Sequence, residues 1–395
     1  MSPYPRHRDV PKNPTLRLVG IGNAGVHIAD RIAARADLAL ETVAMNSDQQ
    51  SINASTAARK TILGPMTTHG LGAGGDPETG LDAAKESMDG LRQAANGTDV
   101  LILCVGLGGG TGSAVAPLLA KMGRDAGAFV AVVATSPFRF EGRRRAQQAK
   151  DALDEIGRHA DALVHFENDR MSELVEPLAE GCETFAACDG LLFQAVCGLS
   201  RILTESGPLP VAVNDVISVL RAGQGSCLFG CGEAEGAERA SAAIAQALRS
   251  PLLDRELLLH EAGKILVHVS GPSGTTFEEV AWIMTELSKV ASPAAHLCLG
   301  VGTSRDSAGP LIVTIVGRTG VETKRVPAPV EKPAEPALVL EPKPDSPTAP
   351  DLFGHETPTA KSPKVKQDVL QLEPVARGRF EKIEPTIVEG EDLDV

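Results

Sequence analysis

Short apolar runs alternate with polar, helix-like stretches from Thr15 onward: Leu16 to Val19, Thr42 to Asn46, Val100 to Val105, Phe129 to Thr135 and Ala162 to Phe166. Each run ends at glycine, polar or charged residues. The first, third and fourth lead directly into glycine-rich or polar turns and then into helix-like stretches. Such runs read as strands buried on both faces, and their alternation with helices predicts an α/β fold built on a parallel sheet. Ligands of these sheets sit at the carboxyl ends of the strands.

A different periodicity follows. Phe185, Cys188, Leu192, Ala195, Leu199 and Ile202 recur at alternating steps of three and four, one continuous apolar stripe. A helix from Cys182 to Leu203 would run roughly 33 Å and act as a central connector. Beyond Gly207 and two prolines, the runs Cys227 to Gly230, Lys264 to Ser270, His296 to Val301 and Leu311 to Val316 predict a smaller sheet domain. From Gly320 the chain turns to Pro, Glu, Lys, Asp and Thr, a composition that cannot bury enough surface to offset chain entropy. The expected organisation is a flexible N-terminus over 1–14, a parallel-sheet domain over 15–181 and a central helix over 182–206. A smaller α/β domain over 207–319 and a disordered acidic, Pro-rich tail over 320–395 complete it.

Composition narrows the function. The hydrophobic share is 43% and the aromatic share only 3%, leaving Leu, Val, Ile and Ala to fill the interior. A formal net charge of −13 argues against a sequence-independent hold on nucleic acid, which depends on clustered Lys and Arg. Seven cysteines set mostly singly in apolar runs fit reduced thiols and point to the cytosol. Cys227 and Cys231 resemble half a metal site, but no second ligand pair follows nearby, so no protein metal site is expected. No apolar stretch reaches the roughly 20 residues of a membrane span.

Two glycine loops carry the candidate chemistry. Gly20, Gly22 and Gly25 form G-x-G-x-x-G between a strand and a helix, by itself the dinucleotide fingerprint. Asp48, close to the end of the second strand, keeps a dinucleotide-dependent dehydrogenase among the alternatives. The run from Gly106 to Ser113, GLGGGTGS, ends the Val100 strand and opens a helix whose buried face is Val115, Leu118, Leu119 and Met122. Without side chains, such a backbone can wrap phosphate oxygens while the helix N-terminus offers its unpaired N–H groups. No G-x-x-x-x-G-K-[ST] occurs, so the loop is not of the Walker type.

GLGGGTGSAVAP, Gly106 to Pro117, closely resembles the signature loop of the tubulin/FtsZ family. AMNSD (Ala44 to Asp48), GLGAGGDPETG (Gly70 to Gly80), TSPFRFEGRRR (Thr135 to Arg145), FENDR (Phe166 to Arg170) and TFAACD (Thr184 to Asp189) resemble FtsZ in the same order. The resemblance spans 15–317. It implies that Gly108, Gly109, Gly110, Thr111 and Gly112 wrap the phosphates of GTP, with Mg²⁺ on them. It further implies that Glu141 and Arg145 approach ribose and phosphates, that Phe185 stacks on guanine and that Asp189 reads its edge. Gly22, Asn23, Ala24, Gly25, Val26, His27, Asn46 and Asn168 complete the implied contacts. A carboxylate can accept from both the ring N–H and the exocyclic amine of guanine.

Family members also hydrolyse GTP where a loop of the next subunit meets the nucleotide. The resemblance therefore implies a head-to-tail homopolymer in the cytoplasm, at the division site. Two positions depart from the FtsZ pattern. His27 stands where FtsZ has an asparagine that touches the nucleotide. The catalytic loop, N-x-D-x-x-D in FtsZ, here reads Pro210-Val211-Ala212-Val213-Asn214-Asp215, so Asp215 is the remaining acid and the expected catalytic residue. Slow hydrolysis is one expectation; a GTP-binding structural or regulatory paralogue with little hydrolysis is the other. The end of the chain, Glu389 to Val395, resembles only the acidic opening of the FtsZ peptide that docks onto membrane tethers. Truncation or a different mode of recruitment would each account for that.

Overall fold

The computed structural model describes residues 14–35, 38, 40–169, 181–220, 227–250, 253, 262–304 and 309–319, with backbone only at 181–187, 213, 214, 217, 227, 262 and 319. The expectations for residues 1–13, for Arg170 and for the segment from 320 onward lie outside the described residues.

The predicted parallel sheet is present, with six strands in the order β3-β2-β1-β4-β5-β6. These are β1 (Leu16–Ile21), β2 (Leu40–Asn46), β3 (Arg59–Ile62), β4 (Val100–Gly106), β5 (Phe129–Ser136) and β6 (Ala162–Glu167), all paired in parallel. The pleat sorts their side chains. Val100, Ile102 and Cys104 point to one core, and Leu101, Leu103 and Val105 to another. The first core is covered by α1 (Gly22–Ala33), α8 (Gly181–Thr204) and α9 (Val213–Leu220). The second lies under α4 (Pro77–Glu86), α5 (Met88–Ala95), α6 (Gly110–Asp125) and α7 (Arg143–His159). Two short helices, α2 (Gln49–Ala54) and α3 (Pro65–Thr68), flank β3.

The second sheet has the order β7-β10-β8-β9. Its strands are β7 (Cys227–Ala234), β8 (Ala262–Gly271), β9 (His296–Thr303) and β10 (Leu311–Thr319); β10 is antiparallel to β7 and β8, and β8 is parallel to β9. Leu266, Val316 and Phe229 face α8 and join the first core, whereas Ile265, Val267 and Val269 pack under α10 (Arg239–Leu248) and α11 (Phe277–Val290). Helix α8 is thus gripped between two sheets. Its stripe residues Cys188, Leu192, Ala195, Leu199 and Ile202 are all buried.

Several elements differ from the sequence reading. The apolar-run reading passes over β3 because its Arg59 and Lys60 keep it half exposed at the sheet edge. Helix α9 begins at Val213, so Asp215 sits exposed within its first turn. One polar cluster is buried where α8 meets the second sheet. Ser270 Oγ donates to Glu205 Oε1 at 2.9 Å, and Arg201 Nε lies 3.8 Å from the same oxygen. Beside it, His268 is 2% exposed and its Nδ1 finds no hydrogen-bond partner among the described residues.

Candidate functional site

The carboxyl ends of β1, β2, β4 and β5 converge on the glycine loops. The turn from β1 into α1 is pinned by close approach: a Cβ on Gly25 would lie 2.2 Å from the Cys104 carbonyl oxygen, so only glycine lets α1 pack against β4. Neither α1 nor α6 receives a side-chain cap, and neither carries an acid in its first turn. Two helix N-termini thus present free N–H groups and positive dipole ends, an arrangement suited to phosphate.

Around them the polar side chains form a chain. Asn46 Nδ2 donates to Asn23 Oδ1 at 2.6 Å, and Asn46 Oδ1 accepts from the Ser47 N–H at 2.9 Å. The Ser47 and Thr111 hydroxyls lie 2.6 Å apart, and the Gly108 N–H donates to Ser113 Oγ at 2.9 Å. The Gly70–Gly80 segment closes the other side. A Cβ on Gly110 would lie 2.6 Å from the Asp76 carbonyl oxygen, so the two loops touch backbone to backbone.

Glu141 accepts from the Phe138 N–H at 2.9 Å and pairs with Arg145 one turn along. The Arg144 guanidinium stands 4.0 Å from Asp76. Two amide oxygens, Asn168 Oδ1 and Gln148 Oε1, are buried without a hydrogen-bond partner among the described residues. Orphaned acceptors of this kind call for a donor from elsewhere. Across α1, His27 Nδ1 lies 3.2 Å from Asp189 Oδ2 on α8. Asp48 accepts from the Gln50 N–H at 2.9 Å and caps α2.

Residues 15–176 match the model of the GTPase domain of the tubulin/FtsZ family, and residues 225–322 that of the C-terminal domain of the FtsZ family. The cell division protein FtsZ of Methanothermobacter thermautotrophicus is 34% identical over 299 residues, 76% of this chain and 77% of the relative. FtsZ 1 of Pyrococcus furiosus is 35% identical over 318 residues, 80% and 84% of the two chains. The chain belongs to the tubulin/FtsZ family.

Solved structures agree with this membership. An FtsZ dimer of M. jannaschii aligns with a TM-score of 0.69 at 34% identity, covering 78% of this chain and 89% of that one. CetZ2 from Haloferax volcanii, with a TM-score of 0.61 and 23% identity over 78% and 94% of the two chains, shares the fold. Within the FtsZ frame, one neighbourhood gathers Gly22 to His27, Asn46 and Gly108 to Gly112 with Asp189. Glu141 and Arg145 pair beside the same loop, since a Cβ on Gly108 would lie 3.0 Å from the Arg145 carbonyl oxygen. The side chain of Phe185 lies outside the described residues.

Asp215 stands apart, since α8 carries the chain about 22 Å from Asp189 to Thr204 before the Asp215 loop begins. Sequence reasoning passed over Ser47 and Gln148. The first was legible as the serine of AMNSD; the second has no sequence signal, because its exposure to the Gly75 carbonyl, 3.3 Å away, depends on how α7 packs. Among the described residues no helix is long and apolar enough to cross a membrane.

Proposed function

We propose that the protein is a filament-forming, GTP-dependent cell-division protein that hydrolyses GTP slowly between two copies of itself. The observation that carries this reading is the separation of its two halves. The phosphate-suited helix ends and Asp189 lie along the N-terminal half of α8, and exposed Asp215 follows its C-terminal end. A single chain cannot bring them together across a helix of that length, but a head-to-tail neighbour can. Exposed Leu71 beside the nucleotide loops and Leu209 beside the Asp215 loop supply apolar surface for such stacking.

In this reading the N–H groups of Gly110, Thr111 and Gly112 hold the phosphates, and Asp189 accepts from the guanine edge. Asn168 Oδ1 takes a donor from the nucleotide. Among the described residues no group of three His, Cys, Asp or Glu could hold a metal ion. Mg²⁺ would accordingly ride on phosphate oxygens with water, as suits an ion that dehydrates reluctantly. Asp215 of the neighbouring copy orients the attacking water and accepts its proton. Residues 15–181 are read as the nucleotide domain, 182–206 as the connector and 207–319 as the C-terminal domain. The cytoplasm at the division site, with recruitment by tethers that bind the tail, is the corresponding place of action.

The exposed alanine at 212, where FtsZ carries a second acid, favours the variant reading of a GTP-binding scaffold with little turnover. Sedimentation, light scattering and phosphate release, measured together with GTP, GDP, ATP or NAD, test both. The expected result is GTP-specific assembly with slow release that Asp215→Ala abolishes while polymers persist. Stable polymers of the unmutated chain without release would establish the scaffold, and absence of GTP-specific assembly would overturn both readings.

A further inference from the structure

Asp189 has two carboxylate oxygens, and guanine needs both, one for N1–H and one for the exocyclic amine. One of them, Oδ2, lies 3.2 Å from His27 Nδ1. The acid is mostly covered, its side chain 24% exposed, whereas the imidazole is 75% exposed and free to swing outward. We propose that His27 is a specificity-determining residue that competes with the nucleobase for Asp189. The proposal rests on the reading of Asp189 as the group that binds guanine.

The competition follows from donor counting. Hypoxanthine offers the same ring N1–H as guanine but lacks the amine, so it can use one oxygen while His27 keeps the other. The amine of guanine must either displace the imidazole from Oδ2 or share that oxygen with it, and either way gains less than it would from an unoccupied oxygen. Removing the imidazole should therefore favour guanine over hypoxanthine.

Few other charges bear on this pair among the described residues. Arg31, one turn along α1, stands 4.5 Å above the Phe193 ring on α8, with Arg35 at 5.9 Å. Asp30 is engaged by the Ser55 hydroxyl at 2.6 Å and by the Thr56 and Ala57 N–H groups. β1 and β2 bring Arg17 and Glu41, paired with each other at 2.8 Å near the opposite ends of their strands. Helix α2 carries no charged residue, and the charges of α6 lie beyond its second turn. Cys104 on β4 and Cys188 on α8 are pushed up to about 12 and about 11, by burial first and the Asp189 charge second, and stay neutral. Among these groups, His27 is the side chain in contact with the Asp189 carboxylate.

The test is the ratio of GDP to IDP affinity, which cancels the shared ribose and phosphates, measured by calorimetry in the unmutated protein and in His27→Ala. In His27→Ala, an exposed position that folding tolerates, the ratio is expected to rise about threefold to fivefold, the size of one net hydrogen bond. An unchanged ratio in His27→Ala would overturn the proposal, as would weaker GDP binding, which would make His27 a direct ligand. ADP serves as the reference for the underlying reading. If ADP binds as well as GDP, Asp189 does not read guanine; if guanine preference stands while His27→Ala changes nothing, only the competition is wrong.

Discussion

His268 lies on β8 beside Arg201, and its imidazole is held down to about 4, by burial first and by the Arg201 charge second. In the unfolded chain a histidine takes up its proton near pH 6.5, so between those values the unfolded state binds more protons. Stability from neutral His268 is therefore fully present above pH 6.5 and is lost as pH falls toward 4, by about 3 kcal/mol at most. Urea denaturation at pH 7.5 and pH 5 should show this loss, and His268→Asn, with no proton to gain, should flatten it. An unchanged slope would place the titration elsewhere. Among single residues, the sequence made the loop glycines legible because backbone approach such as that of Gly25 to Cys104 leaves no alternative residue. The contact of His27 with Asp189 was not legible, since it joins positions 162 apart through the crossing of α1 and α8.

Strands β1, β4 and β5 and helix α8 were readable because burial on every side forces apolar residues into regular runs. The same burial sets the cost of damaging them. Leu199 is 1% exposed within the core shared by the two sheets. Leu199→Ala should lower the free energy of unfolding by about 2–5 kcal/mol, while Leu199→Met should cost less than about 1.5 kcal/mol, both read by denaturant midpoint. Helices α4, α5 and α10 escaped the periodicity because alanine supplies much of their buried face. Their boundary chemistry was nonetheless written in part. Asp76 caps α4 ahead of Pro77, and Thr276 with Glu279 forms a capping box at α11.

At the scale of the whole molecule, the proposed reaction centre is divided between two chains, and the division can be tested by complementation. Gly110→Val should lose nucleotide, because its side chain would strike the Asp76 backbone, yet it keeps Asp215. Asp215→Ala keeps the nucleotide loops. Each alone should release almost no phosphate; mixed, they should recover part of the activity, and failure to do so would argue for a centre within one chain. The placement of the two halves was only partly legible: the long helix announced its length, but which end met which loop emerged from the packing. That placement also has an arithmetic of its own. A stack of such chains always contains one fewer finished centre than it has members, and its two tips differ, one offering an acid with nothing to act on and the other a nucleotide that nothing yet attacks. Growth at the second tip would start the clock on the nucleotide it covers, so the age of each contact, rather than the age of each chain, would be what the filament records.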